Sequence, residues 1–300
     1  MGIKSAISNR AKFLYDPRYR HMYLQRRVVG LKERNAAADR IVARLPSYVN
    51  LPQAFDTFER LNVEGYAMLP ELVSPQQVSD IRRYFEACLA FDPYRPDLGK
   101  FNVPDGAPKG THVAHFDHLD VVSCPHALAI ANNPIVLSAV ADVLGAKPTI
   151  SLMAAWWSIA HGERAQEAEL YHRDVDDYRF VKLFIYLTDV DDESGPHAFV
   201  RGTHNIDKLT NIRRLSEEEV AREFGRENML SFSGPAGTAF LENTYGIHRG
   251  VPPKTRTRLL FQVLYSLVEY VGGPKRPVAK FTPEQNGVAL DPYVNRVYLR

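Results

Sequence analysis

The residues best placed to do chemistry are Tyr171-His172-Arg173-Asp174, answered 76 positions after His172 by His248 in Tyr245-Gly246-Ile247-His248. In an extended segment, residues two apart project to the same side, so His172 and Asp174 present an imidazole and a carboxylate together. An imidazole from His248 on another strand completes a two-histidine, one-carboxylate face that leaves adjacent positions open on a metal, which suits non-haem Fe(II). Enclosed zinc more often recruits cysteines or a fourth side chain, and Cys88 and Cys124 lack such spacing. A bare His-x-Asp is weak in a chain with 10 histidines, and the segment beyond His248 adds weight. Arg256-Thr257-Arg258 stands at the mouth of the apolar run Leu259 to Tyr265. A guanidinium there offers a planar fork to a carboxylate, such as the distal one of 2-oxoglutarate. Arg258 is nearest the apolar run, Arg256 has the same parity, and only one need point inward.

The elements that must hold these groups lie in two halves of the chain. Helical spacing predicts helices over 52–62, from Ser74-Pro75 to Phe91, and over 127–144, the last broken or started afresh at Pro134 and stopped at Gly145. Gly65 to Leu69 reads as a short strand, and 92–120 as a long Pro-, Gly- and His-bearing loop over a site. From Pro148 on, β-branched and aromatic runs predict strands at 149–159, 179–188, 197–201, 229–232, 238–242 and 257–269, with a helix opened by Ser216-Glu217-Glu218-Glu219. Irregular connections between short strands indicate a jelly roll or sandwich. The expected division is a basic helical arm over 1–50, a main domain over 51–270 with its β core at about 148–270, and an extension over 271–300.

In this order and spacing the sequence resembles the phytanoyl-CoA dioxygenase-like family of Fe(II)/2-oxoglutarate-dependent oxygenases, from about residue 60 to 268. The resemblance is carried by Glu64-Gly65-Tyr66-Ala67-Met68-Leu69-Pro70 before Ser74-Pro75, by Asn133-Pro134 to Leu144-Gly145, and by His172 and Asp174. It continues through Leu187-Thr188-Asp189 to Ser194-Gly195-Pro196, Val200-Arg201-Gly202-Thr203-His204, and Gly234 to Phe240 before His248. Ser194, Arg201 and Thr203 depart from the family's usual Asn, Pro and Ser at a structural turn. The resemblance implies an α+β fold, a double-stranded β-helix (jelly roll, cupin-like) with packed N-terminal helices. It implies His172, Asp174 and His248 as iron ligands, an Arg of the 256–258 stretch as anchor, and Phe184 beside 2-oxoglutarate. Lys182 shares a face with Phe184 and Tyr186, where it meets a carboxylate or turns to solvent. The expected cofactors are Fe(II), 2-oxoglutarate and O₂. The expected reaction is hydroxylation of a small-molecule, lipid or glycan carbon, with release of succinate and CO₂. A non-redox cupin-like metalloprotein or a sugar-binding jelly-roll module is the competing reading, and neither has a use for the arginine anchor.

Composition bounds the remainder. A chain of 300 residues with 45% apolar and 24% charged residues is globular, and no internal period marks a solenoid. Two cysteines give no disulfide framework, which with the lack of an apolar leader predicts a cytoplasmic protein. Residues 1–50 hold 11 Lys or Arg against 3 Asp or Glu, a local charge of +8, while the remainder carries −6. The arm is therefore expected to pack on the body or to touch an anionic membrane surface. No aromatic and basic run predicts nucleic-acid binding. His112, His115 and His118, with Asp117 and Asp120, are expected to belong to a covering loop rather than a second metal site. His161 closes a strand, and His197 and His204 satisfy backbone groups. Of Trp156 and Trp157, one faces the core and the other a cavity.

Overall fold

The structure is a computed structural model that describes residues 13–103, 105–160 and 165–300; the start of the basic arm and His161 lie outside the described residues. Strands are β1 (Tyr66–Met68), β2 (Ala90–Phe91), β3 (Lys100–Phe101), β4 (Val113–His115), β5 (Thr149–Ser158), β6 (Phe180–Tyr186), β7 (His197–Val200), β8 (Met229–Phe232), β9 (Ala239–Glu242), β10 (His248–Gly250) and β11 (Arg258–Ser266). Among the described residues they form an eight-stranded sheet in the order β1-β9-β6-β11-β5-β4-β2-β3 and a three-stranded sheet β10-β7-β8. Strands that pair out of sequence order, across two facing sheets, make this the double-stranded β-helix with packed helices.

Period-two alternation decides what each face of the large sheet meets. On β6, Val181, Leu183 and Ile185 enter the main core with Leu241 of β9 and Leu259, Phe261 and Val263 of β11. Helices Phe55–Glu64, Pro75–Ala87 and Pro134–Leu144 cover that face through Leu61, Ile81, Phe85, Val140 and Leu144. The opposite face of β6 carries Lys182, Phe184 and Tyr186 into the space between the sheets, in register with Leu264, Gln262 and Leu260 of β11. Fully burying one large aliphatic side chain contributes about 1.5–3 kcal/mol, so this helix-covered face is the main source of stability.

Local signals set the element ends. Ser74 and Gln77 form a reciprocal capping box at the start of Pro75–Ala87. Asn133 caps Pro134–Leu144 with Pro at its first turn, while Ala127–Ala131 stands as a separate short helix. Gly65, at φ 88°, stops Phe55–Glu64 and lets the chain enter β1; a Cβ there would lie 2.6 Å from His204 Nδ1.

The expected long loop over 92–120 is corrected. It contains β3, β4 and the start of the helix His118–Ser123, because β4 pairs with β5 and recruits β2 at its edge. The alternation within β4 spans too few residues to read from sequence.

The described part of the N-terminal arm and the C-terminal segment pack on the body. Arg34 is buried and donates to the carbonyls of Val28, Gln25 and Asp177. His21 lies 2.8 Å from Asp177, and Tyr245 Oη donates to Val29 O at 3.0 Å. At the other end, Val294, Val297 and Tyr298 join the main core, and Met153 N donates to Tyr298 Oη at 2.7 Å. No helix among the described residues is long and apolar enough to cross a membrane.

Candidate functional site

The two histidines are brought together by backbone pairing. His172 N donates to His248 O and His248 N to His172 O, each at 3.0 Å, and Asp174 N donates to Thr244 O at 2.9 Å. Each ring is then oriented by its own neighbourhood. His172 Nδ1 lies 2.8 Å from Leu170 O and His248 Nδ1 3.0 Å from Gly246 O. A carbonyl can only accept, so the proton of each neutral imidazole sits on Nδ1 and the Nε2 lone pairs are free to ligate. Those Nε2 atoms point at Asp174, 3.4 Å from His172 to Oδ1 and 3.3 Å from His248 to Oδ2. One ligand atom from each of the three residues lies within 4.8 Å of the others. This is the only such group among the described residues, and the His112, His115 and His118 stretch forms none.

Lys182 joins this cluster, where it meets two carboxylates instead of one. Its Nζ lies 2.6 Å from Asp174 Oδ2 and 2.8 Å from Asp176 Oδ2. Burial opposes both charges, but the pairing prevails: Asp174 is held well below the usual carboxylate value and Lys182 above the usual lysine value. Sequence reasoning missed Asp176, although it shares the parity of His172 and Asp174.

The cluster opens into a cavity of about 550 Å³ between the sheets, whose lining includes Arg258, Phe184, Trp156 and Gln262. Arg258 is only 4% exposed; its Nη2 donates to Ser158 Oγ at 3.2 Å and its guanidinium neighbours the Tyr186 hydroxyl, while Nε and Nη1 are buried without a hydrogen bond of normal geometry. An orphaned guanidinium edge is costly to bury and is satisfied by an incoming carboxylate, so the cavity fits 2-oxoglutarate. Arg256 is corrected: it is exposed and pairs with Asp191 on the surface. Residues 251–257 form an irregular, bent connection, so the alternation of β11 does not reach back to it.

Phe184 faces the cavity with its ring 5.0 Å from His197 and 5.2 Å from Phe240. Trp157 belongs to the core, while Trp156 lines the cavity, stacked on His115 at 5.5 Å and 9°. His204 meets Asn62 O at 3.1 Å, and His112 lies 3.0 Å from Glu169. His197 departs from expectation: its ring stacks 5.5 Å from His248, and Nε2 lies 2.8 Å from Glu242 Oε2, out of line for a hydrogen bond. Burial pushes the Glu242 carboxyl up to about 8 and the His197 imidazole well down. Glu242 was invisible in the sequence because only the pairing of β9 with β6 sets it opposite Lys182.

The model of the family described as phytanoyl-CoA dioxygenase (PhyH) matches residues 61–258. Among solved structures, the chain is similar at 16% identity to the non-heme alpha ketoglutarate dependent carbocyclase SnoK from nogalamycin biosynthesis, with 70% of this chain and 83% of that one covered and a TM-score of 0.49. HygX from Streptomyces hygroscopicus, with nickel, 2-oxoglutarate and hygromycin B bound, is 16% identical over 80% of this chain and 96% of its own, at a TM-score of 0.48. EctD from S. alaskensis with bound Fe is also 16% identical, over 74% of this chain and 80% of its own, at a TM-score of 0.49. No curated protein matches the chain. With the family model spanning most of its length and a two-histidine, one-carboxylate cluster beside a buried, unpartnered arginine edge, the chain belongs to the phytanoyl-CoA dioxygenase family and is an enzyme dependent on Fe(II) and 2-oxoglutarate.

Proposed function

We propose that the enzyme hydroxylates a carbon of a small-molecule substrate, with His172, Asp174 and His248 as the iron ligands and Arg258 as the anchor of 2-oxoglutarate. The observation that carries this reading is the Arg258 guanidinium edge, buried without a partner in the cavity that also holds the three ligating atoms. When bound, iron and 2-oxoglutarate supply the oxidising chemistry, with O₂ as oxidant and succinate and CO₂ as co-products.

The chain's own residues bind, orient and exclude water. The Leu170 and Gly246 carbonyls fix the imidazoles so that their Nε2 atoms face the metal position. Lys182 positions the Asp174 carboxylate and offsets its charge, a role assigned in place of contact with 2-oxoglutarate. Phe184 and Leu260 line the cavity and would wall the cosubstrate on its apolar side, and Arg258, fixed through Ser158, would hold its distal carboxylate. Because Asp174 fills the carboxylate position, no ligand place is left for a halide, which favours hydroxylation. The arm over 17–42 acts as a scaffold, since Gln25 and Arg34 donate to Val175 O and Asp177 O directly behind the ligand segment.

The test is to incubate iron-reconstituted protein with 2-oxoglutarate, O₂ and fractionated small-molecule extracts, following succinate and product mass. Succinate formed together with a product heavier by one oxygen atom is expected. A product lighter by two hydrogens, or an isomer of the substrate, would replace hydroxylation by another oxidation, and no succinate with any extract would contradict the reading as a whole.

A further inference from the structure

The outer wall of the cavity carries a feature the cofactors do not use. Phe91, His115 and Trp156 stand at one rung of three adjacent strands, with Phe91 opposite His115 and His115 opposite Trp156. Their ring centroids are 6.5 Å apart for Phe91 and His115, tilted at 46°, and 5.5 Å apart for His115 and Trp156, which are nearly parallel at 9°. All three are partly exposed and line the cavity, whereas their neighbours Ala90, Ala114, Ala155 and Trp157 turn away into the core. The result is a row of aromatic side chains along one rung, next to the Ser158 and Arg258 rung.

Charge narrows what such a row can take. Among the described residues lining the cavity, the lysines and arginines are Lys182 and Arg258. Lys182 is committed to Asp174 and Asp176, and Arg258 to the cosubstrate under the proposed function. Toward the outer wall stand Asp117 and Glu169, paired with Lys100 and His112. Burial takes His115 down to about 4, so it brings no positive charge at neutral pH. A phosphate or carboxylate entering this half would meet carboxylates and no uncommitted lysine or arginine of that lining, at a desolvation cost. A flexible alkyl chain would gain burial there but not the additional stacking contribution open to a ring.

We infer that the substrate is an uncharged molecule with a planar ring system, which lies against Phe91 and His115 with Trp156 at its inner end, and is neither an acyl-CoA nor a phosphorylated metabolite. Offset stacking on one of these rings contributes about two- to twelvefold in affinity beyond burial. The inference takes its division of the cavity from the proposed function.

Calorimetric titration of the anaerobic protein loaded with Fe(II) and 2-oxoglutarate tests it, using 2-naphthol, 2-naphthoate and octanoyl-CoA as probes. 2-Naphthol should bind about tenfold more tightly than either anion. His115→Ala should weaken it about fivefold, the scale of one aromatic contact, and His115→Phe should restore it. Equal or tighter binding of 2-naphthoate or octanoyl-CoA, or loss of binding in His115→Phe as large as in His115→Ala, would overturn the inference. The same titrations without iron and 2-oxoglutarate read the aromatic row by itself. Failure of the loaded protein to show the visible absorption of an iron–2-oxoglutarate complex would count against the proposed function and not against this substrate class.

Discussion

Lys182 Nζ and Asp174 Oδ2 are 2.6 Å apart, so the carboxylate of the metal cluster is held by a buried ammonium before any metal arrives. The same nitrogen reaches Asp176, which makes Lys182 the countercharge for two acids in a nearly dry site. Removing one partner of a buried pair costs about 3–5 kcal/mol because the other charges stay behind.

Lys182→Met should therefore destabilise the metal-free protein strongly, and Fe(II) should recover part of the loss by neutralising Asp174. Thermal denaturation with and without Fe(II) checks this. An equal loss in both forms would assign Lys182 to packing alone.

Arg258→Ala should raise the KM for 2-oxoglutarate by an amount corresponding to about 2–5 kcal/mol and leave iron content unchanged. Arg256→Ala should change neither, since its partner is the surface carboxylate of Asp191. Steady-state kinetics with metal analysis separates the two arginines.

Glu242 predicts a pH dependence. Its folded-state pKa is raised to about 8, so the folded protein retains a proton that the unfolded chain releases near the ordinary glutamate value. Its contribution to stability is fully present below that ordinary value and is lost as pH rises toward about 8. Glu242→Gln keeps the neutral shape, so urea unfolding at pH 5 and pH 8 should show a smaller decline in the variant than in the parent.

Arg34 is 2% exposed, and its guanidinium ties the arm to the carbonyl of Asp177. Arg34→Ala should lower stability by about 1.5–3 kcal/mol, the scale of a hydrogen bond to a charged group. Arg40→Ala, exposed on the helix Leu31–Val42 that also carries Arg34, should have little effect. Chemical denaturation of the two variants measures the difference.

The metal cluster was legible because ligand parity is local: His172 and Asp174 face one way in any extended segment, and the order of motifs around His248 supplied the third group. The helix starts at Ser74 and Asn133 were equally local, being set by caps and prolines. What escaped depends on pairing across the sheets. Lys182 could be placed on a face with Phe184, but its partners are fixed by the fold of the 174–176 segment over β6. Glu242 and His197 became neighbours only once β9 and β7 faced each other. Arg256 shared the parity of Arg258, but an irregular, bent connection breaks that alternation just before the strand.

The most direct measurement is the visible absorption of the protein after anaerobic addition of Fe(II) and 2-oxoglutarate. A weak charge-transfer band should appear in the parent, be absent in His172→Ala and His248→Ala, and need far more 2-oxoglutarate in Arg258→Ala. Folded parent protein that gives no band at saturating additions, or a band that survives His248→Ala unchanged, would contradict the assignment of these residues to the iron and its cosubstrate.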